Sequence, residues 1–143
     1  QVQTVMRRQK MTEEDQILNE LQYIKGRINA SSRILTDKAK TAFFFVVVPE
    51  EMIIIDTLKA AELFAKFDVP LSGYVVNRVL PDELASQNIP EYLRNRITMQ
   101  KRYMAEIKTR LGDQVRAYVP ELERDVTGLP MIEKLAHIMY GDF

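Results

Sequence analysis

The chain has 143 residues, of which 46% are hydrophobic and 28% charged, with zero formal net charge and no cysteine. This length and balance predict one globular domain or a piece of one. The missing thiols exclude disulfides and thiolate zinc sites, the neutral charge gives no field that favours nucleic acid, and no apolar run approaches the ~18 residues of a membrane span. We expect no nucleic-acid partner, no direct membrane insertion and a cytoplasmic location. Because the first residue is Gln1, we also expect the chain to start inside a longer protein.

The first predicted element is a long amphipathic helix over residues 12–35. Thr12 is followed by three acidic residues, a pattern typical of a helix N-cap. Residues 1–11 are polar and basic and show no periodicity. Apolar residues then recur at helical spacing, at Ile17, Leu21, Ile24, Ile28 and Leu35.

A β-α-β unit follows, and its first strand, residues 42–48, has no polar face. Strands that are apolar on both faces lie inside parallel sheets covered by helices. The alternation of strands and helices along the rest of the chain predicts an α/β fold. The remaining predicted elements are helices over 51–67, 91–111 and 130–140, and strands over 73–79 and 115–119.

The predicted sheet has only three strands, whereas a mean sheet has about 5–6. The strand over 42–48 is too apolar for an exposed edge, so we expect neighbouring strands from outside this chain or from another copy of it. Unpaired strand edges favour association, which predicts a homo-oligomer. A small three-stranded α/β domain stays open as the alternative.

Two polar side chains stand where the first two strands stop. Ligands of parallel sheets bind beyond the carboxyl ends of the strands, which makes Glu50 and Asn77 candidate binding residues. Glu50 could equally be a solvated first-turn acid that the helix dipole favours. An unpaired amide in the apolar strand around Asn77 would cost about 1–3 kcal/mol, so the amide either bonds a neighbouring loop backbone or reads a ligand. Its donor and acceptor together are complementary to the adenine edge.

Most catalytic machinery is missing from the sequence. Neither a G-x-x-x-x-G-K-[ST] phosphate loop nor a G-x-G-x-x-G fingerprint occurs. The single histidine, His137, is interpreted as an ordinary helix residue, so we predict no catalytic residue and no metal site. The basic stretch over residues 94–110 is interpreted as a solvated helix face.

Five motifs follow one another along the chain. They are T-x-F-x-x-V within 41–48, P-E with a later acid-Thr-x-base at 49–59, V-V-N-x-x-x-P at 75–81, Q-x-x-Y-x-x-x-I at 100–107 and a Pro-to-Gly loop at 120–128. In this order and spacing they resemble the C-terminal part of the arsenical pump-driving ATPases and of their relatives that target tail-anchored membrane proteins. The resemblance covers residues 12–140.

The resemblance implies the C-terminal part of a P-loop ATPase sheet, working as a homodimer. Residues 1–40 would be a segment of the helical cargo-binding subdomain, and residues 41–143 the C-terminal half of the ATPase domain. The family's adenine-side residues correspond to Glu50 and Asn77, with Pro120 beside the base. ATP and Mg²⁺ would be cofactors of the full-length ATPase, whose phosphate loop and water-activating aspartate lie earlier, so we expect this chain alone to be inactive.

Some positions depart from the family's pattern. The family's E-T-x-R is Asp56-Thr57-Leu58-Lys59 here, and Glu121 replaces a leucine after Pro120. The zinc-binding Cys-x-x-Cys of eukaryotic members is absent.

Two functions stay open from the sequence. The first is the C-terminal segment of such an ATPase, which supplies the adenine-side pocket and part of a region that binds membrane-protein or other protein cargo. The alternative is a non-catalytic α/β protein-interaction module, a degenerate relative of these ATPases.

Overall fold

The computed structural model describes the backbone of residues 2–141, with side chains from residue 14 onward. The chain divides into two compact units after Thr41. The first unit consists of one long helix, α1 (Val2–Thr36), and a turn in which the Thr41 hydroxyl donates to the Ile34 carbonyl over 2.7 Å.

Helix α1 begins well before the predicted start, so Thr12 lies within the helix and is not its N-cap. The expectation that residues 1–11 lack a pattern was wrong for those that the structure describes. The physical reason is that glutamine, methionine, arginine and lysine all favour helix, and no glycine or proline interrupts the chain before Gly26. The predicted end of this helix is confirmed at Thr36.

The second unit alternates strands and helices. The elements are β1 (Phe43–Val47), α2 (Glu51–Lys66), β2 (Leu71–Val79), α3 (Glu91–Leu111), β3 (Val115–Pro120) and α4 (Gly128–Tyr140), all close to the predicted bounds. Short 3-10 turns, Asp82–Ser86 and Gly112–Gln114, flank α3. The three strands are parallel and lie in the order β1-β2-β3, so the predicted α/β fold is confirmed. None of the helices in the described part of the chain has the length and hydropathy needed to cross a lipid bilayer.

Helices cover both faces of this sheet. On one face, side chains of α2 and α3 pack with side chains of all three strands. This core contains the buried residues Val47, Ile54, Tyr74, Val76, Ile107 and Leu111. On the other face, Val75, Ala117 and Val119 pack against Leu135 and Met139 of α4. Strand β2 is therefore buried on both faces over residues 73–76, as its apolar sequence predicts. Strand β3 is buried mainly on the face that α4 covers, because the exposed Arg116 and Tyr118 alternate with the buried Ala117 and Val119.

Strand β1 lies at the edge of the sheet in the described part of the chain. Phe43 and Phe45 pack against Phe64 of α2, with ring centroids 5.3 and 4.8 Å apart. The alternate side chains, Phe44 and Val46, are 50% and 60% exposed. The expectation that another strand flanks β1 stays a prediction, and these exposed apolar side chains are the feature that motivates it.

We expect Gly73→Ala to lower the free energy of unfolding by about 1–3 kcal/mol. Gly73 has φ +153°, and a Cβ atom there would lie 2.7 Å from the backbone oxygen of Gln114. Because Gln114 directly precedes β3, its backbone oxygen cannot move aside without shifting the start of that strand. Urea unfolding of the two proteins measures the loss.

The matched control is Gly112→Ala. Gly112 has helical φ −44°, and its added Cβ would come no closer than 3.9 Å to the Lys108 side chain. Alanine restricts the unfolded chain more than glycine does, so this variant should be neutral or slightly stabilised. Equal urea midpoints for the two variants would contradict the argument about Gly73.

Candidate functional site

A cavity of about 200 Å³ lies where the carboxyl ends of the three parallel strands converge. Segments that follow β1, end β2 and follow β3 all contribute to its wall, and α3 closes it from the side. The lining residues are Val48, Pro49, Glu50, Arg78, Leu80, Leu93, Arg96, Gln100 and Glu121. This is the edge of the sheet at which the sequence predicts a binding site.

Glu50 reaches this cavity from the start of α2. Its backbone is extended, with φ −137° and ψ 140°, and its carbonyl accepts the first helical hydrogen bond from Ile54 N at 3.0 Å. Its side chain does not cap the helix, so its Oε1 is available to accept a hydrogen bond from Arg96 Nη2 at 3.2 Å. Both side chains are more than half exposed, and such a pair contributes little to stability. Glu50 is thus both a solvated helix start and a cavity residue.

Asn77 lies in a β-bulge at the end of β2. The register passes from Val76 opposite Tyr118 to Val79 opposite Pro120, so β2 carries one extra residue there. The Asn77 Oδ1 atom accepts a hydrogen bond from its neighbour's backbone N–H at 2.9 Å. Bulges re-aim side chains and are frequent beside functional sites. Asn77 is half-buried, and the residue that follows it in the chain, Arg78, lines the cavity.

That neighbour, Arg78, has a left-handed backbone with φ +59°, which is uncommon and strained for a residue with a side chain. Its Nε atom donates to Glu121 Oε2 at 2.8 Å. The hydrogen bond and the charge of Glu121 raise the already high pKa of Arg78, so the guanidinium stays protonated at any physiological pH.

Pro120 ends β3 opposite Val79, and the residue that lines the cavity from this loop is Glu121. The Glu121 N–H donates to the Val79 carbonyl at 2.9 Å, which ties the loop after β3 to the end of β2. The structure therefore brings Glu50 into the cavity and places Asn77 and Pro120 beside it.

A family model for anion-transporting ATPases matches residues 1–141. The chain belongs to this family. It is 30% identical over 129 residues to the putative arsenical pump-driving ATPase 1 of Aquifex aeolicus, and the match covers 90% of this chain and 33% of that protein. It is 27% identical over 124 residues to the ATPase GET3A of Arabidopsis thaliana, where the match covers 87% of this chain and 35% of the relative. It is 28% identical over 117 residues to the ATPase ASNA1 homolog of Trypanosoma cruzi, where the match covers 80% of this chain and 32% of the relative.

This member of the anion-transporting ATPase family spans about a third of the length of those relatives. The family that the ordered motifs predict is thereby confirmed, and the share covered fits a portion of such an ATPase.

Four polar or charged side chains that line the cavity were not predicted as site residues: Arg78, Arg96, Gln100 and Glu121. For Gln100 the sequence does carry a signal, because it is a polar residue within the apolar stripe of α3 formed by Ile97, Met104 and Ile107. Arg96 is 63% exposed at its side chain, which agrees with the interpretation of its helix face as solvated. No pattern marks Arg78 or Glu121, because their pairing joins two separate strand ends.

A second, larger groove of about 540 Å³ adjoins the first cavity between the start of α2 and the middle of α3. Glu50, Arg96 and Gln100 line both spaces. Met52 and Met99, which are 64% and 54% exposed, give the groove an apolar floor. The Glu50–Arg96 ion pair thus stands between a polar cavity and a more apolar groove.

Proposed function

We propose that this chain supplies the adenine side of the nucleotide pocket in an ATPase of the anion-transporting family. The observation that carries the proposal is the convergence of all three strand ends on one cavity, with Glu50 in its wall and the bulged Asn77 beside it. The carboxyl edge of a parallel sheet is the usual place for a nucleotide in such folds.

The Asn77 side chain has the chemistry that an adenine base requires. Its Oδ1 already accepts one hydrogen bond, but an amide oxygen has a second lone pair and the Nδ2 group has two donors. Adenine presents an amino donor next to a ring-nitrogen acceptor, which matches an amide in a bidentate arrangement. The Glu50 carboxylate can accept a hydrogen bond from an amino or hydroxyl group once Arg96 turns away, and Pro120 offers an apolar contact beside the base.

The size of the cavity supports a partial site. Pockets for drug-sized ligands are about 300–1,000 Å³, whereas this cavity is about 200 Å³. The sequence contains no Gly-Lys dipeptide from which a phosphate loop could be built. We therefore propose that ATP and Mg²⁺ are cofactors of the complete ATPase, that other parts of it hold the phosphates, and that this chain alone does not hydrolyse ATP.

A ¹⁵N NMR titration of the chain with AMP tests this proposal, with GMP as the matched control ligand. We expect AMP to shift the amide resonances of Glu50, Asn77 and Arg78, with a Kd on the order of 1 mM because only the base is recognised. GMP should cause much smaller shifts, since guanine presents a carbonyl where adenine has its amino group. Equal responses to both nucleotides, or tight binding of ATP, would contradict the proposal.

Helix α1 supports a second part of the proposal, that residues 1–40 belong to a cargo-binding helical region. Apolar side chains recur on one face of α1 and remain exposed, at Ile17 (57%), Leu21 (56%), Ile24 (51%) and Ile28 (62%). A protein-interaction module without nucleotide binding, our second candidate function, would use the same face. In both cases the partner would be an apolar helical segment of a protein cargo.

Fluorescence anisotropy with a labelled apolar helical peptide tests this face. We expect the double change Leu21→Ser and Ile24→Ser to weaken binding about tenfold or more, because two apolar contacts are lost. The control Gln22→Ser lies off the apolar face and should bind like the unchanged chain. Equal peptide affinity in all three proteins would remove α1 from the proposal. Peptide binding without any AMP response would favour the interaction module.

We further propose that the chain associates with itself through the β1 edge. Phe44 and Val46 are exposed on that strand, and an unpaired apolar edge is a template for another strand. Light scattering should detect a dimer or larger assembly, and Val46→Lys should shift it towards the monomer because a charge on an edge strand opposes pairing. A monodisperse monomer before the change would contradict this proposal.

A further inference from the structure

One buried polar side chain of α3 holds the backbone at the end of β2. Gln100 is only 6% exposed and lies in the apolar stripe of its helix. The Leu80 N–H donates to its Oε1 at 2.8 Å, and its Nε2 donates to the Leu80 carbonyl at 2.8 Å. A glutamine in an apolar stripe is tolerated when both halves of its amide are bonded, as they are here.

Both hydrogen bonds are made to the backbone of Leu80, immediately after the β-bulge. Leu80 follows Val79, the last residue of β2, and Val79 is paired with Pro120 of β3. The Glu121 N–H binds the Val79 carbonyl from the β3 side at 2.9 Å. Gln100 reaches the next residue, Leu80, from α3, which covers one face of the sheet. The end of β2 is thus held between a neighbouring strand and a helix.

This double attachment matters because the bulge is strained. Arg78 has φ +59°, and such backbone conformations persist only where the surroundings over-determine them. The Arg78–Glu121 ion pair is exposed at both side chains, so solvent weakens it. The two Gln100 bonds are less accessible to water and have fixed geometry, so they constrain the bulge more strongly. Without them, we expect β2 to relax towards a regular strand, which would turn the side chain of Asn77 to a different direction.

We infer that Gln100 is a positioning residue for Asn77: by clamping Leu80 it keeps the bulge in place and aims the Asn77 amide at the proposed base site. The part of this inference that concerns the ligand rests on the proposed function. The part that concerns the bulge does not, and it can be measured without any nucleotide.

The test is Gln100→Glu, studied as a function of pH. At about pH 8 the new carboxyl is ionised, so it cannot donate to the Leu80 carbonyl and repels it. When protonated, its O–H donates where the Nε2 group did, and both hydrogen bonds are restored. Burial raises the pKa of a carboxyl above its usual ~4.3, so we expect recovery as the pH falls to about 5.5. The unchanged chain carries the same charged groups around the cavity, Glu50, Arg96, Arg78 and Glu121. Measuring it over the same pH range shows any change that the titration of those groups causes.

We expect three signatures from Gln100→Glu at about pH 8. The hydrogen-exchange protection of the Leu80 amide should fall about tenfold, and the Asn77 side-chain and Arg78 amide resonances should shift. AMP affinity should fall about threefold to tenfold. All three should recover at low pH in this variant, whereas Gln100→Met, which has no amide, should show the losses at both pH values.

The inference is overturned if Leu80 loses protection while the Asn77 and Arg78 resonances stay unchanged in both variants. It is also overturned if the losses in Gln100→Glu do not recover at low pH although circular dichroism shows a folded chain. If the unchanged chain does not bind AMP, the proposed function fails, and the Asn77 and Arg78 resonances still decide whether Gln100 positions the bulge.

Discussion

Replacing Ile107 with alanine is expected to lower the free energy of unfolding by about 2–5 kcal/mol. Ile107 is fully buried in the core between α2, α3 and the sheet, where it packs with Val47, Ile54 and Val76. The loss combines the transfer free energy of the removed atoms with the cavity that they leave. Domains of this size have a total stability of only about 5–15 kcal/mol, so a large part of it depends on this one side chain.

Urea unfolding measures this loss, and Ile132→Ala is the matched control. It removes the same atoms from a helix of the same sheet domain, but the side chain of Ile132 is 53% exposed. We expect the control to lose less than about 1 kcal/mol. If Ile107→Ala proves too unstable to purify, Ile107→Val should still cost about 0.5–1.5 kcal/mol. Similar urea midpoints for the two alanine variants would contradict the assignment of the core to the α2–α3 face.

The elements of the sheet could be predicted because the sequence marks their ends strongly. The run over residues 42–48 has no polar residue, and Pro49 stops it. The start of α1 was predicted wrongly because the local capping signal at Thr12 competes with helix-favouring residues on both sides of it. Because no glycine or proline breaks the helix before Thr12, the helix-favouring residues extend it past that position.

The candidate site could be predicted only where local sequence determines position. Glu50 is the first polar residue after an apolar strand, and Asn77 interrupts one, so both are visible in the sequence. The bulge is not visible, because it depends on how β2 pairs with β3. The clamp of Leu80 by Gln100 joins residues 20 positions apart, and the Arg78–Glu121 pair joins residues 43 apart. Helical spacing shows that Gln100 faces inward, but it does not show which backbone atoms Gln100 meets.

Changing Asn77 to aspartate is expected to reduce AMP affinity about fivefold to 150-fold. Aspartate has nearly the same shape and keeps an oxygen that can accept the Arg78 N–H, so the bulge should survive. It removes the Nδ2 donor, which the proposed pairing with the adenine ring nitrogen requires. A bidentate amide–adenine contact contributes about 1–3 kcal/mol of discrimination. The expected loss of affinity is that free energy converted into a ratio of dissociation constants. The ¹⁵N NMR titration with AMP measures it.

Two controls separate base recognition from charge. Asn88→Asp adds the same negative charge at an exposed loop position outside both cavities, and it should bind AMP like the unchanged chain. Adenosine, which carries no phosphate, should lose affinity for Asn77→Asp by about the same factor as AMP, because the missing donor and not repulsion is the cause. If Asn77→Asp binds adenosine normally while its Arg78 amide resonance is unchanged, Asn77 does not read the base. The Asn77 Oδ1 bond to Arg78 would then be purely structural, and the polar residue in β2 would serve the bulge and not a ligand.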